Sequence, residues 1–248
     1  MLFRSIFTLT NASGGTYIGW QWKAGGTAVT NTAGSITSQV SANTTAGFSV
    51  VTYTGTGANA TVGHGLGVAP SFIIVKPRNG TTTYGWRCYH VSLGPTKYLA
   101  LNSSDQAYSF TDWDNTAPTS SVVNLGSGSP QTVVENGTNY VMYCFAAIAG
   151  YSAFGSYTGN GSTDGPFVFT NFRPRYILVK RSDSTADWTV FDTSRDPYNM
   201  EINYLCPNLS IAETVGSSVQ LDGLSNGFKV RGTWQGMNAS GGTIIYAA

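Results

Sequence analysis

Apolar and polar positions alternate with a period of two wherever this chain is clearly patterned. Phe48-Ser-Val-Val-Thr-Tyr53 and Tyr140-Val-Met-Tyr-Cys-Phe145 alternate in this way, as side chains do when they point in turn to opposite faces of a sheet. Short β-branched and aromatic runs are interrupted by Gly, Asn or Pro every ~8–12 residues, the spacing of a sandwich or barrel. Asn79-Gly80, Asn136-Gly137 and Asn226-Gly227 are hairpin signals, because both residues accept positive φ. No long stretch holds a helical apolar period between caps; one helical turn around residues 210–213 is the most that is expected. Residues 25–46, rich in Thr, Ser, Gly and Asn, read as a linker with one strand at 35–40.

The pattern repeats along the chain. Phe48 to Tyr53-Thr-Gly55-Thr-Gly57 has a counterpart in Phe154-Gly-Ser-Tyr157-Thr-Gly159-Asn-Gly161. Pro70 and Pro174 then open matching strands, Ser71-Phe-Ile-Ile-Val-Lys76 and Arg175-Tyr-Ile-Leu-Val-Lys180. Trp86-Arg-Cys-Tyr-His90 matches Trp188-Thr-Val-Phe-Asp192, and Tyr98-Leu99 matches Tyr204-Leu205, with the offset held at 102 to 106 residues. The closing segment occurs three times, beginning at Asn136, at Asn238 and, ahead of any complete unit, at Asn11. The expected fold is therefore all-β: two tandem antiparallel β-sandwich, jelly-roll-like units related by an internal duplication. Residues 1–46 would hold a truncated repeat strand, docked on one sandwich, plus the linker. Residues 47–150 and 151–248 would form the two sandwiches, joined by a short hinge at Gly150-Tyr-Ser-Ala153.

Composition adds the setting. Charged residues are 10% of the chain, against ~25% in ordinary soluble domains, so Thr, Ser, Asn and Gly must wet the surface, as they do in β-rich extracellular and virion proteins. A net charge of +1 with scattered Lys and Arg excludes the basic face that nucleic acid requires. No apolar run reaches the ~18 residues of a membrane span, so no membrane insertion is expected. Met1-Leu-Phe-Arg-Ser-Ile-Phe7 is too short for a signal peptide, so an outside destination would be reached by another route such as cell lysis. Cys88, Cys144 and Cys206 form no metal or disulfide spacing and are expected as buried thiols of a protein made in a reducing cytoplasm.

Candidate chemistry is sparse. Gly55-Thr-Gly57-Ala-Asn-Ala60 fits a dinucleotide fingerprint formally, but the residues that follow cannot start the helix which a pyrophosphate needs, so these glycines are read as turns. His64 and His90 stand outside any zinc spacing, and neither has a histidine at the matching place of the second unit. Asp112-Trp-Asp114-Asn115 and Ser182-Asp183-Ser-Thr-Ala-Asp187 read as solvated acidic loops, with a structural cation as the alternative. Glycoside cleavage would need a carboxylate pair ~5–9.5 Å apart, and nothing singles one out among Glu135, Glu201, Glu213 and the nine Asp. Hence no catalytic residue, metal or cofactor is assigned, and the chain is not expected to be an enzyme. Aromatics remain. Trp20, Trp22, Trp86 and Trp188 fall in strand-like runs and read as core; Tyr84, Tyr108, Trp113 and Trp234 lie in polar loops. Exposed rings beside Asn and Asp suit stacking on sugar faces, so these four are the candidate glycan contacts, with subunit contact as the other use of the same loops.

The repeated motifs carry a resemblance. Gly15-Thr-Tyr-Ile-Gly-Trp-Gln-Trp-Lys-Ala-Gly25, Thr44-Thr-Ala-Gly-Phe-Ser-Val-Val-Thr-Tyr-Thr-Gly55, Val62-Gly-His-Gly-Leu-Gly-Val-Ala-Pro70 and Phe154-Gly-Ser-Tyr-Thr-Gly-Asn-Gly-Ser-Thr-Asp-Gly-Pro-Phe-Val168 resemble repeat modules of tail-fibre-like virion structural proteins of marine and cyanobacterial phages. The resemblance implies a place on the phage particle surface after synthesis in the host cytoplasm. Its implied work is host-surface adhesion, as a tail-fibre or spike module. Its implied partners are further copies of itself, with a trimer favoured, other virion proteins and a host surface glycan. A purely architectural decoration, connector or filament subunit is the alternative, and a polysaccharide-degrading fibre enzyme ranks behind both.

Overall fold

The computed structural model describes residues 14–79, 85–130 and 132–248. Among them, the first part of the chain forms β1 (Val29–Asn31), β2 (Ser38–Asn43), β3 (Phe48–Thr54), β4 (Ala60–Gly63), β5 (Phe72–Pro77), β6 (Arg87–His90), β7 (Lys97–Ala100), β8 (Tyr108–Ser109), β9 (Val122–Leu125) and β10 (Asn139–Phe145). The second part forms β11 (Phe154–Thr158), β12 (Phe167–Phe169), β13 (Tyr176–Arg181), β14 (Thr189–Asp192), β15 (Asn203–Tyr204), β16 (Thr214–Val215), β17 (Leu221–Leu224), β18 (Gly227–Val230) and β19 (Thr243–Ala247), with one short helix, α1 (Gln235–Asn238). The protein is all-β, and its named strands pair antiparallel.

Four layers follow from the alternation. An eight-stranded sheet runs β1-β2-β3-β10-β5-β6-β7-β8, and a four-stranded sheet runs β11-β19-β13-β14. One face of the larger sheet is covered by β4 and β9, whose Val62, Val123 and Leu125 meet Ile73, Val75, Tyr140 and Met142. One face of the smaller sheet is covered by β12, β17 and β18, where Val168, Leu221 and Phe228 meet Ile177, Val179 and Ile244. The alternate residues of the same strands turn the other way. Phe72, Ile74, Cys88 and Leu99 meet Leu178, Trp188, Val190 and Ile245 in a third core between the two large sheets. Each buried side chain of this kind stabilises by roughly 1.5–3 kcal/mol. Because β5 and β13 have apolar neighbours on both faces, they read as unbroken apolar runs, Phe72-Ile-Ile-Val75 and Ile177-Leu-Val179.

Polar contacts tie this seam together. The Ala107 and Ala186 amides donate across it to the carbonyls of Ser182 (2.9 Å) and Ser104 (2.8 Å). Trp188 Nε1 donates to the Ala100 carbonyl at 3.0 Å. Lys180, fully buried, donates from Nζ to the carbonyls of Ser104 (3.2 Å) and Arg181 (2.7 Å).

Three expectations are corrected. Residues 25–46 are not a linker with one strand: β1 and β2 form a hairpin that extends the large sheet by pairing with β3. The segment folds because Ile36 and Val40 bury against the core while its Thr and Ser residues suit a half-exposed strand. Residues 14–25 carry no strand; the two indoles of Trp20 and Trp22 are held by aromatic partners instead of by backbone pairing. The helical turn stands at 235–238, not at 210–213. Ile211 is exposed and gives 210–213 no apolar face to bury, whereas Met237 and Asn238 in α1 are fully buried.

Candidate functional site

Of the four predicted glycan contacts, Tyr108 stands on the surface. It lies at the edge of the large sheet directly opposite Tyr98, and the two rings sit 5.7 Å apart and tilted. Phe110 meets Tyr98 edge-on at 6.1 Å. The Arg87 guanidinium lies 3.9 Å under the Tyr98 ring, a cation–π contact that fixes the ring from below. The Asp105 carboxylate beside Tyr108 raises the phenol above its ordinary pKa, chiefly by charge. A shallow aromatic ledge with a carboxylate acceptor at its rim results.

Trp113 is placed differently from expectation. It is fully buried, edge-on to Tyr89 at 5.7 Å, and its Nε1 donates to the Lys97 carbonyl at 3.1 Å. It supports the strand that carries Tyr98 and offers no face to a ligand. The acidic loop around it is likewise not solvated at Asp112, which is 1% exposed, accepts from Thr132 and lies 3.7 Å from Arg87. Burial raises the Asp112 carboxyl, against the lowering effects of Thr132 and Arg87. Gly126 closes this loop, donating its N–H to the Asp112 carbonyl at 2.9 Å. A Cβ there would collide with the Thr111 carbonyl oxygen. Gly126→Ala is therefore expected to cost about 1–3 kcal/mol, read as a lower urea midpoint. Trp234 is half-buried against the second core, with Gly236 tight against its ring. Tyr84 lies outside the described residues.

A second feature opens where the two large sheets meet the 146–153 turn. It is a cleft of about 720 Å³. Trp20 and Trp22 both lie edge-on to Tyr176, at 5.4 and 5.5 Å, and Trp22 is also edge-on to Phe145 at 5.8 Å. Trp20 is anchored by donating from Nε1 to Asp192 Oδ2 at 2.9 Å. Phe72, Ile74 and Leu178 lie deeper, and Arg173 and Arg175 line the same cleft.

A family model described as a domain of unknown function, DUF7483, matches residues 5–248. The chain belongs to the DUF7483 family. No curated protein and no solved structure matches it.

The ionisable groups of this DUF7483 domain are mostly structural. His90 Nε2 donates to the Tyr246 carbonyl at 3.0 Å while Nδ1 accepts from the Ser92 amide at 3.1 Å. Burial pulls its pKa down to about 4. His64 is held in the same way by the Thr119 carbonyl and the Leu66 amide. Cys88, Cys144 and Cys206 are free and buried; burial pushes Cys144 to about 12 and Cys206 to about 11. Glu201 is 1% exposed, and neither carboxyl oxygen has a hydrogen-bond partner among the described residues. Desolvation, reinforced by Asp196, raises it to about 8. Sequence reasoning missed the cleft altogether. Its one available signal was Trp20-Gln-Trp22, two indoles that an extended segment places on one side.

Proposed function

We propose that the protein is a virion structural component of a phage, a tail-fibre or spike module that adheres to the host surface. The observation that carries this reading is the Tyr98–Tyr108–Phe110 ledge. Its exposed ring and neighbouring Asp105 supply the stacking surface and acceptor that a sugar ring needs. The motif resemblance described above supports the virion setting. A single ledge binds weakly; copies held together in a homo-oligomer, with a trimer favoured, raise avidity by ~10²–10⁴ without new contacts. The role requires no catalysis and no cofactor.

Common strand order supports a tandem duplication as the origin of the two sandwiches. β3-β10-β5-β6 in the first is matched by β11-β19-β13-β14 in the second. In each, the last strand is inserted between the first strand and the next strand of its sheet, which also supports the jelly-roll-like reading.

A purely architectural role is the second reading, favoured by β12. This strand lies at a sheet edge with Phe167 and Phe169 both exposed, and exposed apolar edges invite pairing between chains. A glycan array probed with the intact protein, paired with light scattering, separates the two. Adhesion predicts retained saccharides and a roughly fivefold weaker single-site affinity in Tyr108→Ala, the equivalent of about 1 kcal/mol. Regular polymers that dissolve on Phe169→Lys, with no saccharide retained, would replace adhesion by architecture.

A further inference from the structure

We infer that the cleft between the two large sheets binds a small amphiphilic anion, with an aromatic or alkyl body and a carboxylate or sulfonate head. The inference is independent of the adhesion reading. The volume of about 720 Å³ falls within the ~300–1,000 Å³ of small-molecule sites. The deeper walls, Phe72, Ile74, Phe145 and Leu178, have no hydrogen-bonding side chains. A saccharide seated there would leave its hydroxyls unpaired, whereas an apolar body loses nothing.

The head-group chemistry follows from which polar groups remain available. Asp192 is committed: it accepts from Trp20 Nε1 at 2.9 Å and from the Ser194 amide at 2.9 Å, and lies 3.6 Å from Arg195. Arg175 uses Nη2 on Ser194 Oγ at 3.0 Å, which steadies the guanidinium and leaves its other donors available. Arg173 makes no hydrogen bond or ion pair with the described residues, and both arginines are exposed. They flank Pro174 in Arg173-Pro174-Arg175, whose ring restricts the backbone between them. Two guanidinium forks at the edge of an apolar cleft match the planar, doubly accepting geometry of a carboxylate or sulfonate.

The test titrates the full chain with 8-anilinonaphthalene-1-sulfonate, followed by fluorescence, and then competes the dye with decanoate or with decanol. Saturable binding is expected, with decanoate the stronger competitor. Arg173→Gln/Arg175→Gln should weaken dye and decanoate about tenfold or more and leave decanol unaffected. Trp22→Ala should weaken all three. Both arginines are exposed, so the double variant should keep the wild-type unfolding midpoint, which is measured alongside. Absence of saturable binding, equal competition by decanol and decanoate, or wild-type affinity in the double arginine variant would each overturn the assignment. So would binding seen only with phosphatidylglycerol vesicles, which would make the occupant a bilayer surface.

Discussion

Trp188→Ala is expected to lower folding stability by about 3–5 kcal/mol, the cost of emptying a buried tryptophan site. Trp188 is 1% exposed and packs in the core between the two large sheets. Its indole also donates to the Ala100 carbonyl in the other sandwich, so removal both opens a void and leaves that carbonyl with the Ser103 amide alone. Trp188→Phe separates the two effects. It keeps most of the ring and removes only the indole hydrogen bond, while the Ala100 carbonyl keeps the Ser103 amide, and is expected to cost about 0.5–1.5 kcal/mol. Urea unfolding followed by circular dichroism measures both. The wild type should unfold in one transition, since the seam is a core shared by both sandwiches. A loss below about 1 kcal/mol for Trp188→Ala would mean that the seam collapses around the void and contributes little.

The second large effect is a fall in stability as pH rises from 6.5 to 8. Glu201 is raised from 4.5 to about 8 in the folded protein. Between those values the folded state holds a proton that the unfolded state releases, so stability falls as pH rises. Lys180 is lowered from 10.5 to about 8 by burial, partly offset by Asp105 and Asp187. Between 8 and 9 the unfolded state holds the extra proton and stability recovers; above 9 the raised Cys144 and Cys206 thiols act the other way, because the unfolded chain then releases protons that the fold keeps. His90, lowered from 6.5 to about 4, acts like Lys180 at lower pH and opposes Glu201 below 6.5. The unopposed fall therefore lies between pH 6.5 and 8. The charges around Glu201 are Asp196, Arg173, Asp192 and Asp222, and three of the four disfavour its ionisation. Glu201→Gln should flatten the fall while preserving the rise between pH 8 and 9. Urea midpoints at half-unit pH steps check this, and a fall that persists in the variant would assign it elsewhere.

The sequence made the strands legible where they are half-buried or doubly buried, as at Phe48 to Tyr53, Tyr140 to Phe145 and the runs after Pro70 and Pro174. Alternation reports burial directly. It failed at 25–46, where the two buried apolar residues, Ile36 and Val40, were outnumbered by Thr and Ser although the backbone ladder needs no apolar side chain. Polarity of neighbours also misplaced Trp113. The partners of Asp112 beside it, Arg87 and Thr132, are distant in sequence, so a local window could not register its burial. Tyr108 was legible as an exposed ring, but its pairing with Tyr98 depends on cross-strand register. The cleft depends on two sheets and a strandless segment meeting in space, and no local pattern encodes that.

The faces joined in the seam come from both halves of the chain: Phe72 and Ile74 of β5 against Leu178 of β13, with Ile245 and Ala247 of β19 in the same cluster. Neither half therefore carries a finished exterior of its own. A cut between β10 and β11 would bare Phe72, Ile74, Cys88 and Leu99 on one piece and Leu178, Trp188, Val190 and Ile245 on the other, and apolar patches of that extent make two adhesive fragments where the intact chain makes one sealed body.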